Sequence, residues 1–260
     1  MDQSKSDIKW LHFIRDVEYN NVEALMPSEQ SLAVLEIGSG TGHILNKLRE
    51  KYCNVDGLEV DGSSYSFGKN DVMMYDGKNI PFKDNSYDMI ISFHVMEHVT
   101  DFPYLMKECK RVLRDGGVMI HVIPSSTWRF LTTLFYYIGG LAHVIRKFSQ
   151  QKSSQKFEEP NRVKKKFINP LLVLSLSRKL LPERHGELGN VITEQWYFSK
   201  TFWNKRFKEN GFSKGVGLEH GIVYWGHDFL RFWLTKRARL NLVKFIGSSS
   251  NVFYLINKKT

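Results

Sequence analysis

Short apolar runs alternate with amphipathic stretches through the first half of the chain. Val34, Leu35 and Ile37 surround Glu36, a pattern that predicts a buried parallel strand. Ile44, Leu45 and Leu48 follow with the spacing of a helix. Residues 54–61 predict a short second strand ending in acids. A third apolar stretch closes at the Asp76-Gly77 turn, and residues 86–99 supply a fourth with the turn that follows it. Residues 105–113 have amphipathic helical spacing, with Arg114-Asp115-Gly116-Gly117 as its stop. Residues 118–124 then predict a fifth strand. With 260 residues, the chain is long enough for one large α/β domain carrying decorations.

Between the first strand and its helix lie Gly38, Ser39, Gly40, Thr41 and Gly42. Glycine lacks the Cβ that prevents a sharp turn and a close approach to a ligand, and backbone N–H groups at a helix start can hold polar ligand atoms. The loop is therefore a nucleoside cradle. A dinucleotide fingerprint needs a third glycine where this chain has His43, and a phosphate loop needs an earlier lysine than Lys47. Glu36, two residues before the first glycine, is badly placed against a pyrophosphate and suits a cationic ligand portion.

The run from Glu36 to Gly42 resembles motif I of the class I S-adenosylmethionine (SAM) methyltransferases, and the later markers follow in the family's order across residues 34–124. The resemblance implies SAM as cofactor, held by Glu36, Gly38, Ser39, Gly40 and Gly42 at its amino-acid end. Glu59 then takes the ribose hydroxyls, with Asp61 as the alternative. Asp76, with Gly77, reads the adenine amino group, and His94 lines the methionine end. It also implies a seven-stranded, mostly parallel Rossmann-like sheet whose last strand is antiparallel, flanked by helices and carrying helical lid insertions. In that scheme residues 202–212 form a helix ended by Asn-Gly, a strand lies near residues 214–218, and a last one spans residues 251–257. The organisation expected is an N-terminal helical segment (1–30), a SAM-binding core (31–125), a basic and aromatic helical insertion (126–198), and a return to the sheet (199–260) with a second insertion at 220–249.

Charge divides unevenly along the chain. Residues 1–125 hold 13 Lys/Arg against 19 Asp/Glu, whereas residues 126–185 hold 12 against 3 and residues 186–260 hold 12 against 5. The basic excess thus lies in the half expected to face substrate and suggests an anionic partner. Residues 130–145 carry no formal charge but are too short to span a bilayer, which takes about 20 apolar residues. Aromatics beside cations in both insertions fit either interfacial anchoring on anionic lipid or a lid burying its rings over the site. Stable nucleic-acid binding is less expected, since no RNA module is present. Cys53 and Cys109 suggest neither a disulfide nor a zinc site, and the N-terminus has no secretory pattern. The expectation is a cytoplasmic protein, peripheral at the inner membrane face.

Methyl transfer to a hydroxyl needs an aimed acceptor and a base. His98 in the core and His185 in the lid are the candidates for the base. His94, Glu97 and His98 at i, i+3 and i+4 would share one helix side, but no clear fourth ligand accompanies them, so no metal is expected. The acceptor expected is a small molecule, a saccharide or a lipid-linked group near the membrane. Residues 184–198 resemble a segment of methyltransferases from bacterial surface-polysaccharide clusters. A soluble metabolite or RNA acceptor, or a non-catalytic SAM-binding protein, is the alternative.

Overall fold

The computed structural model describes residues 2–61, 63, 72–139, 182–212, 221–226 and 234–257. Helix α1 (Asp2–Val22) leads through a 3-10 turn into strand β1 (Ala33–Ile37), helix α2 (His43–Lys51), β2 (Asn54–Val60), β3 (Met73–Tyr75) and β4 (Tyr87–Phe93). Helix α3 (Phe102–Val112) and β5 (Leu113–Pro124) follow. Residues 126–139 form α4. Helices α5 (Glu194–Tyr197), α6 (Lys200–Glu209) and α7 (Lys236–Ile246) then precede β6 (Ser250–Ile256).

The strands form one sheet in the order β3-β2-β1-β4-β5-β6, parallel except for the β5–β6 pair. Apolar residues on both sides of each central strand explain this layering. On β4, Ile90 packs toward α3 and α6 with Phe102, Trp203 and Phe207. Its neighbours Met89, Ile91 and Phe93 pack toward α2 and the end of α1 with Leu48 and Val22. Since successive side chains of a strand point to opposite faces, a sheet buried on both needs such near-continuous apolar runs. The chain order reverses between β1 and β4, and ligands of doubly wound sheets bind outside the carboxyl ends at that point.

Helix starts are fixed by side-chain caps: Asp101 accepts from Tyr104 N at α3, Ser199 from Phe202 N at α6, and Thr235 from Ala238 N at α7.

The sheet has six strands among the described residues rather than seven. The strand expected near 214–218 lies outside them, as do 140–181 of the first insertion and 227–233 of the second. The expected helix stop at residues 114–117 is drawn into β5 instead. Leu113 pairs with Tyr87, the register slips, and Val118 pairs with Met89; Gly116, at φ 74°, absorbs the turn. No helix among the described residues is long and apolar enough to cross a membrane.

Candidate functional site

A cavity of about 1190 Å³ opens at the carboxyl ends of β1, β2 and β4 and runs under α1 to Trp128 and His185. Binding pockets commonly fall between about 300 and 1,000 Å³, so the space admits a nucleoside together with a second molecule.

The glycine loop forms one end. Gly38 sits at φ 76°, and a Cβ built there would meet Val95 Cγ2 at 2.3 Å, so only glycine lets the loop pass beneath the segment after β4. Its N–H and that of Ser39 both donate to Leu58 O, at 2.8 and 3.0 Å. Gly40 N–H donates to Glu59 Oε2 at 2.6 Å, and Val60 N–H donates to Oε1 at 2.9 Å. Glu59 at the end of β2 is thereby fixed against the loop, whereas Asp61 is exposed. Gly42, at φ 73°, caps α2.

Glu36 is buried in β1, and its Oε2 has no hydrogen-bond partner among the described residues. Burial, reinforced by the nearby Glu59 carboxylate, pushes its pKa up to about 8. A buried acceptor with nothing to accept from is suited to a cationic donor supplied by a ligand.

Asp76 borders the cavity, but its oxygens serve the local turn. Oδ1 accepts from Lys78 N and Asn79 N at 2.8 and 2.7 Å, and Oδ2 accepts from Asn79 Nδ2 at 2.7 Å. Those bonds, the one from Lys78 foremost, hold it ionised below the usual range. Gly77 follows at φ 76°.

His94 has φ 56°, uncommon for a non-glycine residue, immediately after β4. The conformation is held by a buried network. His94 Nε2 lies 2.9 Å from Glu18 Oε1, and Tyr224 O–H donates to the same oxygen at 2.8 Å. Arg15 pairs with Glu18 Oε2 at 2.6 Å. Burial opposes the charge on Glu18, but His94 and Arg15 outweigh it and hold the pKa at about 2. Arg15 itself lines the cavity, as do Trp10 and Leu11 of the same helix.

At the far end, Met96–His98 forms a single 3-10 turn rather than the start of an α-helix. The expected side-by-side set of His94, Glu97 and His98 therefore changes: the donor atoms that come within 4.8 Å of one another are those of Glu97, His98 and His185. His94 Nε2 is occupied by Glu18 and Tyr224. Glu97 Oε1 lies 3.8 Å from His94 Nδ1 and 3.9 Å from Nε2 of both His98 and His185. Neither Glu97 oxygen has a hydrogen-bond partner among the described residues, and burial pushes its pKa up to about 8. Burial also lowers His98, and pushes His185 down to about 3, so both imidazoles are neutral near pH 7.

His185 owes its position to residues far along the chain. Its N–H and that of Gly186 both donate to Glu194 Oε1 at 2.7 Å, and Glu187 N–H donates to Glu97 O at 2.9 Å. Glu194 is fully buried and paired with buried Arg129 of α4 at 3.1 Å. Trp128 covers His185, with ring centroids 4.6 Å apart.

The structure thus gathers Glu36, Gly38, Ser39, Gly40, Glu59, Asp76, Gly77, His94, His98 and His185 around one cavity. Reading the sequence missed Arg15, Glu18, Tyr224 and the Arg129–Glu194 pair. A signal for the first two was present: Leu11, Ile14, Arg15 and Glu18 recur at helical spacing, placing charges on the stripe of α1 that turns inward. Tyr224 and Glu194 carried no such periodicity.

A family model described as a methyltransferase domain matches residues 11–214. A demethylmenaquinone methyltransferase of Thermotoga maritima is 29% identical over 125 residues, 42% of this chain and 55% of that protein. A ubiquinone biosynthesis O-methyltransferase of Acinetobacter baumannii is 22% identical over 206 residues, 75% of this chain and 83% of that protein. The chain spans only 24 to 55% of the length of the first three curated relatives it matches. Among solved structures, a SAM-dependent methyltransferase from Thermotoga maritima superposes with a TM-score of 0.53 at 17% identity, covering 98% of this chain and 96% of that one, a likeness of fold alone.

Proposed function

The chain belongs to the class I SAM-dependent methyltransferase family, and on that premise we propose that it transfers a methyl group from SAM to an oxygen of a saccharide or lipid-linked acceptor. The observation that carries the reading is the unpartnered oxygen of buried Glu36 beside the glycine loop. Glu36 would hold the cofactor's α-ammonium and Arg15 of α1 its α-carboxylate, so that a zwitterion would meet two opposite charges. The Ser39 hydroxyl completes that end. Glu59, already tethered on one side of each oxygen, offers its remaining lone pairs to the ribose hydroxyls. Asp76 keeps one acceptor position beside the three it uses, enough for the adenine amino group.

Bound SAM supplies a methyl carbon made electrophilic by the sulfonium. Trp10 and Trp128 bring aromatic faces to the cavity, which favour a cation and exclude water. The acceptor enters at the Trp128–His185 end. As its oxygen bonds to the methyl carbon, the S–CH3 pair returns to sulfur and the hydroxyl proton passes to an imidazole. His98, with 43% of its side chain exposed against 35% for His185, is the better placed to take it. His185, held neutral, orients the hydroxyl.

A quinone-type acceptor is the second reading. It is favoured by the aromatic lining of Trp10, Trp128 and Trp225 and by the relatives named for menaquinone and ubiquinone biosynthesis. Calorimetric titration with SAM and its demethylated product tests the cofactor site; absence of binding to both overturns the proposal. Mass spectrometry of cell extract supplied with isotope-labelled SAM separates the acceptors: label in a quinone fraction overturns the saccharide reading.

A further inference from the structure

Three elements meet where α4 begins. Ser126 Oγ donates to Gln195 O at 2.7 Å, and Gln195 Nε2 donates to Ser126 O at 2.9 Å, tying α5 to the start of α4. Thr127 Oγ1 donates to Ile246 O at 3.0 Å, tying in the end of α7. Around this junction five large apolar side chains stand in solvent: Phe130, Ile192, Trp196, Phe245 and Ile246, with Phe245 84% and Ile192 76% exposed. Single exposed apolar residues need no explanation, but a group of this size on one face marks an interaction surface.

The charges at the junction are one-sided. Residues 126–139 contain no acid and neither does α7, while the acid of α5, Glu194, is fully buried against Arg129. Lys236, Arg237 and Lys244 of α7 are exposed. Aromatic and aliphatic groups accompanied by the cations of α7 complement an anionic lipid surface, where rings enter the headgroup layer and cations meet phosphate.

We propose that this junction docks the protein on an anionic phospholipid bilayer. The opposite side of α4 places buried Trp128 against His185 at the acceptor end of the cavity. Docking therefore sets the acceptor mouth beside the membrane, where a lipid-linked acceptor enters without leaving the bilayer. That last link rests on the proposed methyl transfer, whereas the docking itself does not.

The test is flotation of the full chain with vesicles of phosphatidylcholine alone or with about a third phosphatidylglycerol, at low salt and at about 0.5 M salt. The chain is expected on the anionic vesicles only, with binding falling at high salt. An Ile192→Ser/Phe245→Ser double variant is expected to partition at least about tenfold less, and Lys236→Glu/Lys244→Glu to lose the preference for anionic lipid. Both variants should bind SAM as the parent does, which reports an intact fold. Three results each overturn the docking: a parent chain that floats with neither vesicle, binding unchanged in the apolar double variant, or a dimer in sedimentation equilibrium that this variant dissolves. Failure to bind SAM by a chain that still floats would instead sink the methyl-transfer reading alone.

Discussion

The two ends of the cavity are built by opposite means. At the glycine-loop end, Glu36, Gly38, Ser39, Gly40 and Glu59 fall within 24 consecutive residues, and most of the work is done by backbone: two N–H groups on Leu58 O, two on the Glu59 carboxylate, and a glycine at φ 76° under Val95. At the His185 end, the groups come from a 3-10 turn after β4, from α4 and from the segment after residue 182. They are joined by a buried carboxylate–guanidinium pair that does not line the cavity. A backbone cradle tolerates little change of residue type but keeps its geometry through local turns. An end assembled from distant segments can be retuned one segment at a time, at the risk of losing everything when a strut fails. Cofactor chemistry is constant and acceptors differ, so each construction suits its task.

The sharpest way to break this contrast is Glu194→Ala. It strips buried Arg129 of its partner and His185 and Gly186 of their acceptor, and should lower unfolding free energy in urea by about 3–5 kcal/mol; a variant as stable as the parent would show that the strut is idle. Glu36→Gln comes next. It removes the charge meant for the α-ammonium and should weaken SAM binding about 10- to 100-fold by calorimetry without lowering the melting temperature. Gly38→Ala should cost about 1–3 kcal/mol in chemical unfolding and impair SAM binding as well, since strain and the Val95 contact act together.

Proton linkage refines the comparison. Glu36 is raised from 4.5 to about 8 in the fold, so the folded chain keeps a proton that the unfolded chain releases. Its stabilising contribution is complete below pH 4.5 and declines as pH rises toward 8, with a slope of at most about 1.4 kcal/mol per pH unit. Cofactor binding runs the other way, because only the ionised carboxylate takes the ammonium. SAM affinity should rise from pH 6 to 8 with close to one proton released, measured by calorimetry in buffers of different ionisation heat; Glu36→Gln should abolish that release. Smallest of all, Phe245→Ser should leave stability within about 0.5 kcal/mol.

Much of the first end was legible in the sequence, because a loop that needs glycine announces itself, and acids at strand ends follow at near-fixed spacing. Asp76 shows the limit. The resemblance assigns it the adenine amino group and it borders the cavity, yet three hydrogen bonds tie it into its own turn, a competition that spacing along the chain does not encode. His98 and His185 are separate candidates in the sequence, and nothing in their spacing encodes that Glu97 stands between them at 3.9 Å from each. Residues 87 apart in the sequence meet through tertiary packing, which leaves no periodic trace. The apolar run predicts the strand after α3 from residue 118, whereas pairing begins at Leu113, because a glycine pair marks a helix stop and a β-bulge equally well.

The tie between Glu18 and Tyr224 spans 206 positions. On the ribosome, α1 is made long before residue 224, so Glu18 waits for Tyr224 to complete its hydrogen bonds. Only then can Tyr224 join His94 on Glu18 beside the cavity. Unfinished or truncated chains should be incompetent for ligand, so a saturable binding signal doubles as a report that synthesis ran past residue 224.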